Sequence, residues 1–233
     1  MMFTPIKSTK VYEHVIVQIE NMIMDGTLKR GDKLPSEREL VDNFKVSRTS
    51  IREALRALQV IGLIDSRQGE GNFIKQSFED SLFEPLSIIF MLQGGKPEEI
   101  MEVRKIIEVK TAAIAAEKIN GEQLSNLEKL ANAFKTSKDE KDNVELDKQF
   151  HYQIAQVTEN FLIKNILNSM SFLMDSFLKE ARSKILVDEG NLSVLAAQHI
   201  KICEAIKNHD AAMASEEMKK HLDFTDKYIR NNM

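Results

Sequence analysis

Residues 36–59, SERELVDNFKVSRTSIREALRALQ, constrain this chain more than any other stretch, because their pattern admits little besides two short helices and a turn. Pro35 disfavours helix in the residue before it, and Ser36 with Glu39 three positions on makes a capping box. Leu40, Val41 and Phe44 give the first helix an apolar stripe. Lys45–Val46 turns the chain, and Ser47 can cap a second helix. There Ile51, Leu55 and Leu58 fall at i, i+4 and i+7, one buried face. The opposite side carries Arg48, Thr49, Arg52 and Arg56. A helix with a packed back and guanidinium and hydroxyl groups on its first turns meets the needs of major-groove entry. Arg binds guanine edges bidentately, and Arg, Ser and Thr also hold phosphates.

The flanks extend this reading. Residues 9–24 predict an amphipathic helix with Val11, Val15, Ile19 and Met22 on its inner face and Gly26 as its stop. After the second short helix, Leu63–Arg67 and Asn72–Lys75 are strand-length segments around Gly69–Glu70–Gly71, a β-hairpin. A hairpin in that place is a wing, and its glycines, with Arg67 and Gln68, can bring backbone close to sugar-phosphate or minor groove.

Near residues 77–80 the character changes. From there on the pattern is helical, with stretches near 79–92, 97–119, 121–135, 140–157, 160–186, 191–208 and 210–230. Gly94–Gly95, Asn120–Gly121 and Gly190–Asn191 punctuate them, and Asn160 is a plausible cap. The expected architecture is mainly α: a winged helix-turn-helix over residues 1–76, then an all-α bundle over 77–233. Charge agrees. The net is −4, but residues 1–76 carry 12 Lys/Arg against 10 Asp/Glu, and residues 77–233 carry 20 against 26. That is a mildly basic reader joined to an acidic partner. No apolar run is long enough to span a membrane. The start MMFTPIKSTK lacks the apolar segment of an export signal, and the single Cys203 fits a reducing compartment, so a cytoplasmic protein is expected.

A second constellation lies in the helical part. Asp147 and His151 stand at i, i+4 and project from one helix face. His199 and His221 sit on two consecutive helices joined near His209–Asp210. Counted from that junction along an antiparallel pair, they come level. One carboxylate and three imidazoles can then meet inside a bundle, a donor set for Zn²⁺ and also for Ni²⁺, Mn²⁺ or Fe²⁺. The plainer alternatives are core histidines and an Asp–His hydrogen bond. Arg104 stands beside the apolar residues Ile100, Val103, Ile106, Ile107 and Ala113, so it either snorkels to solvent or aims into a cavity. Glu108, one turn on, either orients it or is exposed. Cys203, at i+4 from His199, either reaches the same site or is a small buried hydrophobe. His14 and His209 carry no such pattern, and Phe172, Leu173, Met174 and Phe177 read as core or dimer surface.

PSERELVDNFKVSRTSIREALRALQVIGLI followed by RQGEGNFI resembles the amino-terminal winged helix of the GntR family of bacterial transcription regulators. The helical remainder resembles the FadR-type ligand domain called FCD, in its metal-binding subgroup. The resemblance implies operator contacts from Arg38, Arg48, Thr49, Ser50 and Arg52, with Gly71 at the minor groove. It implies a metal held by Asp147, His151, His199 and His221, and a carboxylate effector held by Arg104. Double-stranded DNA with an inverted repeat, a small organic acid and a second copy of the chain are then the expected partners. A catalytic metal centre, a metal sensor and a metal-free regulator of acyl effectors are the competing readings. No general base stands out beside the cluster, so a regulator rather than an enzyme is expected.

Overall fold

The computed structural model describes residues 10–76, 83–137, 140–177, 185 and 189–232. Two compact units divide the chain, one ending at Leu82 and one starting at Phe83.

In the first unit α1 (Val11–Met24), α2 (Glu37–Phe44) and α3 (Arg48–Val60) precede an antiparallel pair, β1 (Ile64–Arg67) and β2 (Gly71–Ile74). The capping box is present: Glu39 N–H donates to Ser36 Oγ at 3.3 Å and Ser36 N–H donates to Glu39 Oε2 at 2.8 Å. Lys45 closes α2 in the left-handed region at φ 55°, and Ser47 Oγ accepts from Ser50 N–H at 3.1 Å to start α3. Val15, Ile19, Leu34, Leu40, Ile51, Leu55, Leu58, Ile64 and Ile74 form the core. Val11, expected on the inner face of α1, is exposed, because it stands in the first turn. Ile64 pairs with Ile74 and Arg67 with Gly71, one residue off the expected strand limits, and Lys75 N–H still donates to Leu63 O at 3.0 Å beyond them. Gly69 and Gly71 have φ of +78° and +109°, values that side chains disfavour, so the wing tip needs them.

The second unit is a bundle of α4 (Phe83–Leu92), α5 (Pro97–Lys118), α6 (Gly121–Thr136), α7 (Glu140–Val157), α8 (Phe161–Phe177), α9 (Glu189–Lys207) and α10 (Ala211–Asn232). No strand occurs among its described residues. The expected helical stretches at 79–82, 178–184 and 186 lie outside the described residues. Helix starts follow local chemistry. Pro97 opens α5, Asn120 and Gln123 make a capping box for α6, and Asn160 Oδ1 accepts from Leu162 and Ile163 N–H at 2.9 and 3.2 Å.

α5 is the axis of the bundle and packs against α7, α8, α9 and α10. Ala112, Ala115 and Ala116 are fully buried on it, and small side chains let that many helices approach. Its buried face differs from the expected apolar stripe. Val103 and Ile106 are exposed, Ile106 to 69%, while Arg104 and Glu108 point inward with Ile100 and Met101. The inward charges are tolerated because they neutralise one another. Arg104 therefore does not snorkel: it is 6% exposed.

Candidate metal centre and nucleic-acid interface

Asp147 and His151 come from α7, His199 from α9 and His221 from α10. One donor atom from each lies within 4.8 Å of the others, and all four residues are buried. The i, i+4 step on α7 and the level positions on the antiparallel α9–α10 pair bring this about, with the His199 and His221 ring centroids 4.8 Å apart. His199 Nε2 is 3.3 Å from Asp147 Oδ1, and His151 Nε2 is 3.7 Å from the same oxygen.

The surroundings fix which nitrogens face inward. His151 Nδ1 lies 2.5 Å from Glu108 Oε2, and His221 Nδ1 lies 3.1 Å from Gln198 Oε1. Oxygens stand outside both Nδ1 atoms, one in hydrogen-bond contact with His221 and one in ion-pair contact with His151, so protons on both Nδ1 atoms leave both Nε2 atoms as acceptors. Those two Nε2 atoms face each other at 3.1 Å. Two acceptors at that separation require a cation between them, either a proton or a metal ion. His199 adds a second indication: it is 0% exposed, and neither ring nitrogen has a hydrogen-bond partner among the described residues. Burial of that kind is costly for a polar ring unless something binds it. The donor set thus fits a divalent metal.

Charge in the site is graded. Burial, joined by the neighbouring imidazoles, holds His221 well below the usual histidine range, and burial lowers His199 as well. Burial also works against a charged His151, but Glu108 and then Asp147 outweigh it and raise its pKa. Glu108 resists burial in turn, because Arg104 and His151 hold its carboxyl well below the ordinary range. Neutral imidazoles and an ionised carboxylate are the forms that ligate metal.

Arg104 stands next to this cluster. Its Nε donates to Glu108 Oε1 at 2.5 Å and its Nη2 to Glu108 Oε2 at 3.4 Å, so Glu108 takes one side of the guanidinium. Nη1 donates to Met174 Sδ at 2.9 Å. A small cavity between the cluster and Arg104 is lined by Arg104, Asp147, Met174, Ile185, Leu195, His221 and Thr225. Cys203 is not part of the cluster. It packs in the bundle core, and burial, with Glu128 adding to it, pushes its thiol up to about 11. His14 is exposed, and His209 closes α9 at φ 55° with Nδ1 donating to Ala116 O at 2.7 Å.

On the first unit, Arg38, Arg48, Thr49, Arg52, Arg56 and Gly71 are exposed, while Ser50 is half-buried with its Oγ 3.0 Å from Ser47 Oγ. A partner that sequence reasoning missed is Glu37, whose Oε2 accepts from Arg52 Nε at 2.9 Å and lies 3.7 Å from Arg48 Nε. Arg67 stacks over Phe73 with 4.5 Å from guanidinium carbon to ring centre. Gln198 and the second role of Glu108 were missed as well. Gln198 had a signal in its place next to His199 in the sequence; the contact of Glu108 with His151, on another helix, had none.

A capped helix-turn-helix with a wing, followed by a helical bundle with a buried acid–imidazole cluster, defines a DNA-binding transcription regulator with a separate sensing domain. The chain belongs to the bacterial regulatory proteins of the gntR family, whose model matches residues 11–74, and the FCD domain matches residues 99–224. It is 35% identical over 207 residues to the HTH-type transcriptional regulator LutR of Bacillus subtilis, covering 86% of this chain and 93% of that one. It is 29% identical over 221 residues to the putative L-lactate dehydrogenase operon regulatory protein of Escherichia coli, covering 92% and 84%. A solved GntR protein of Streptococcus agalactiae superposes with a TM-score of 0.68 at 25% identity, covering 93% of this chain and 99% of that one. These domains and relatives are transcription regulators, and the chain is one rather than an enzyme. Among the described residues no helix is long and apolar enough to cross a membrane.

Proposed function

We propose that this regulator works in the cytoplasm as a dimeric repressor whose operator affinity is set by a small organic acid bound at a divalent metal, Zn²⁺ first among the candidates. Asp147, His151, His199 and His221 hold the metal. Arg104 takes a carboxylate of the effector, since a fork of donors suits one carboxylate edge while the metal takes another oxygen. Arg38, Arg48, Thr49, Ser50 and Arg52 contact the operator, and Gly71 lets the wing backbone approach the minor groove. Two copies read an inverted repeat, as two-fold symmetry requires. Exposed apolar side chains are available to a second copy: Ile88, Ile89, Met91 and Leu92 on α4, Ile106 on α5 and Leu162 on α8.

The observation that carries the sensing half is the pair of acceptor nitrogens facing at 3.1 Å beside a buried His199 whose ring nitrogens make no hydrogen bond among the described residues. Protein as purified is expected to contain close to one divalent ion per chain by elemental analysis, and His199→Ala to lose it while the amino-terminal unit stays folded. With operator fragments selected from a random DNA pool, an effector acid is expected to change affinity by about 5–150-fold, and chelation to remove that response. Full metal occupancy in His199→Ala, or an acid response indifferent to chelation, overturns the reading.

A further inference from the structure

The cavity beside the cluster measures about 20 Å³, room for about one water. Every carboxylic acid is larger, so an occupant has to displace part of the wall. The wall is half polar, with Arg104, Asp147, His221 and Thr225, and half apolar, with Met174, Ile185 and Leu195. Only one apolar residue among these is hydrogen-bonded to a charged one.

A guanidinium has two edges able to bind a carboxylate bidentately: the side edge of Nε and Nη2, and the end edge of Nη1 and Nη2. Glu108 occupies the side edge with both its oxygens. That pair is buried at 7% and 4% side-chain exposure, and Glu108 also bonds His151, so it is not free to leave. The end edge carries a thioether, Met174 Sδ, at 2.9 Å from Nη1. A thioether is a weak acceptor for a full positive charge. A carboxylate oxygen is a far stronger one. Met174 is buried, but its unbranched side chain has three rotatable bonds, so it can leave the guanidinium by rotamer change where its neighbours give way.

We infer that Met174 occupies the effector's place on the end edge of Arg104 and trades positions with the incoming carboxylate. This rests on the reading of the bundle as an organic-acid sensor. Met174 is then a specificity-determining residue. Its departure creates the room the acid fills, and its length limits the size admitted. Because Met174 belongs to α8 and Arg104 to α5, the exchange breaks a side-chain tie between two helices of the bundle, a place where occupancy can be felt beyond the site.

Full-length, zinc-loaded protein labelled at the methionine methyl carbons tests this, with L-lactate, succinate and citrate as probes. The Met174 signal is the one missing in Met174→Leu. An acid that binds wild type is expected to shift that signal and to fail on Arg104→Ala. It is also expected to bind Met174→Leu roughly 2- to 10-fold more tightly, since the weak thioether acceptor no longer competes for the guanidinium. If an acid needs Arg104 but leaves the Met174 signal unmoved and binds Met174→Leu as it does wild type, the exchange is wrong and the sensor reading stands. If an acid binds Arg104→Ala as well as wild type, the carboxylate site itself is wrong. Should none of the three bind, the chain supplies its own carboxylate. Met174→Glu is expected to melt at a higher temperature than Met174→Gln, because the charge meets the end edge of Arg104, and the reverse order overturns the inference.

Discussion

Arg52 and Arg104 make the same bond in two settings. Each donates from Nε to a glutamate, at 2.9 Å to Glu37 and at 2.5 Å to Glu108. The first pair is 60% and 32% exposed, the second 7% and 4%. An exposed pair of this kind contributes about 0–1 kcal/mol, so Arg52 can leave Glu37 when a base edge or phosphate arrives. Removing one member of a buried pair costs about 3–5 kcal/mol, because a charge is left without compensation. Arg104 is therefore fixed, and anything that binds it must use the donors Glu108 leaves over. The same chemistry gives an exchangeable arginine on the exposed face of α3 and an immobile one beside a buried cavity.

The sharpest way to break this comparison is to neutralise each glutamate or arginine in turn. Glu108→Gln has the largest expected effect. It strands the buried Arg104 charge and removes the oxygen that holds His151 Nδ1. The bundle's melting temperature is expected to fall on the order of 10 °C, the size that about 3–5 kcal/mol implies, with metal affinity down about 10–100-fold. An unchanged melting curve and metal titration would show that the pair is as dispensable as its surface counterpart. Arg52→Ala comes next. It should weaken operator binding by about 1–3 kcal/mol if the side chain reads a base, measured by fluorescence anisotropy, and leave the melting temperature alone. Equal losses on operator and random DNA would reduce Arg52 to a phosphate contact.

How much of this was legible in the chain depended on the range of each interaction. Ser36 with Glu39, and Asn120 with Gln123, announce their helices because both partners lie within one turn. Asp147 and His151 announce a shared face for the same reason, and His199 and His221 needed only a count from one turn. The inward side of α5 was not legible. Ile106 looks like a core residue and is exposed, while Glu108, read as either orienting Arg104 or exposed, is buried, held by Arg104 and also by His151 on another helix. Met174 read as core or dimer surface, and it is core; that its sulfur meets a guanidinium depends on a contact across 70 residues. Glu37 escaped notice because it belongs to α2 and its arginines to α3, and only the packing angle of the turn joins them.

The smallest effect tests the exposed side of the comparison. Glu37 serves two guanidinium groups with one oxygen, at 2.9 and 3.7 Å, so it holds Arg52 and Arg48 side by side while neutralising half their charge. On random DNA the arginines gain only phosphates, and giving up Glu37 offsets part of that gain. Because the pair is given up by the free protein in either case, Glu37→Gln should raise affinity for random DNA and operator alike, by up to about 5-fold, the range of an exposed ion pair. The slope of log affinity against log salt on random DNA should steepen as more phosphate contacts form. A rise on random DNA alone would mean that the arginines keep Glu37 when they sit on the operator. A fall on both would mean that it holds the arginines in a shape DNA binding cannot do without, and the contrast with Glu108 would shrink from kind to degree.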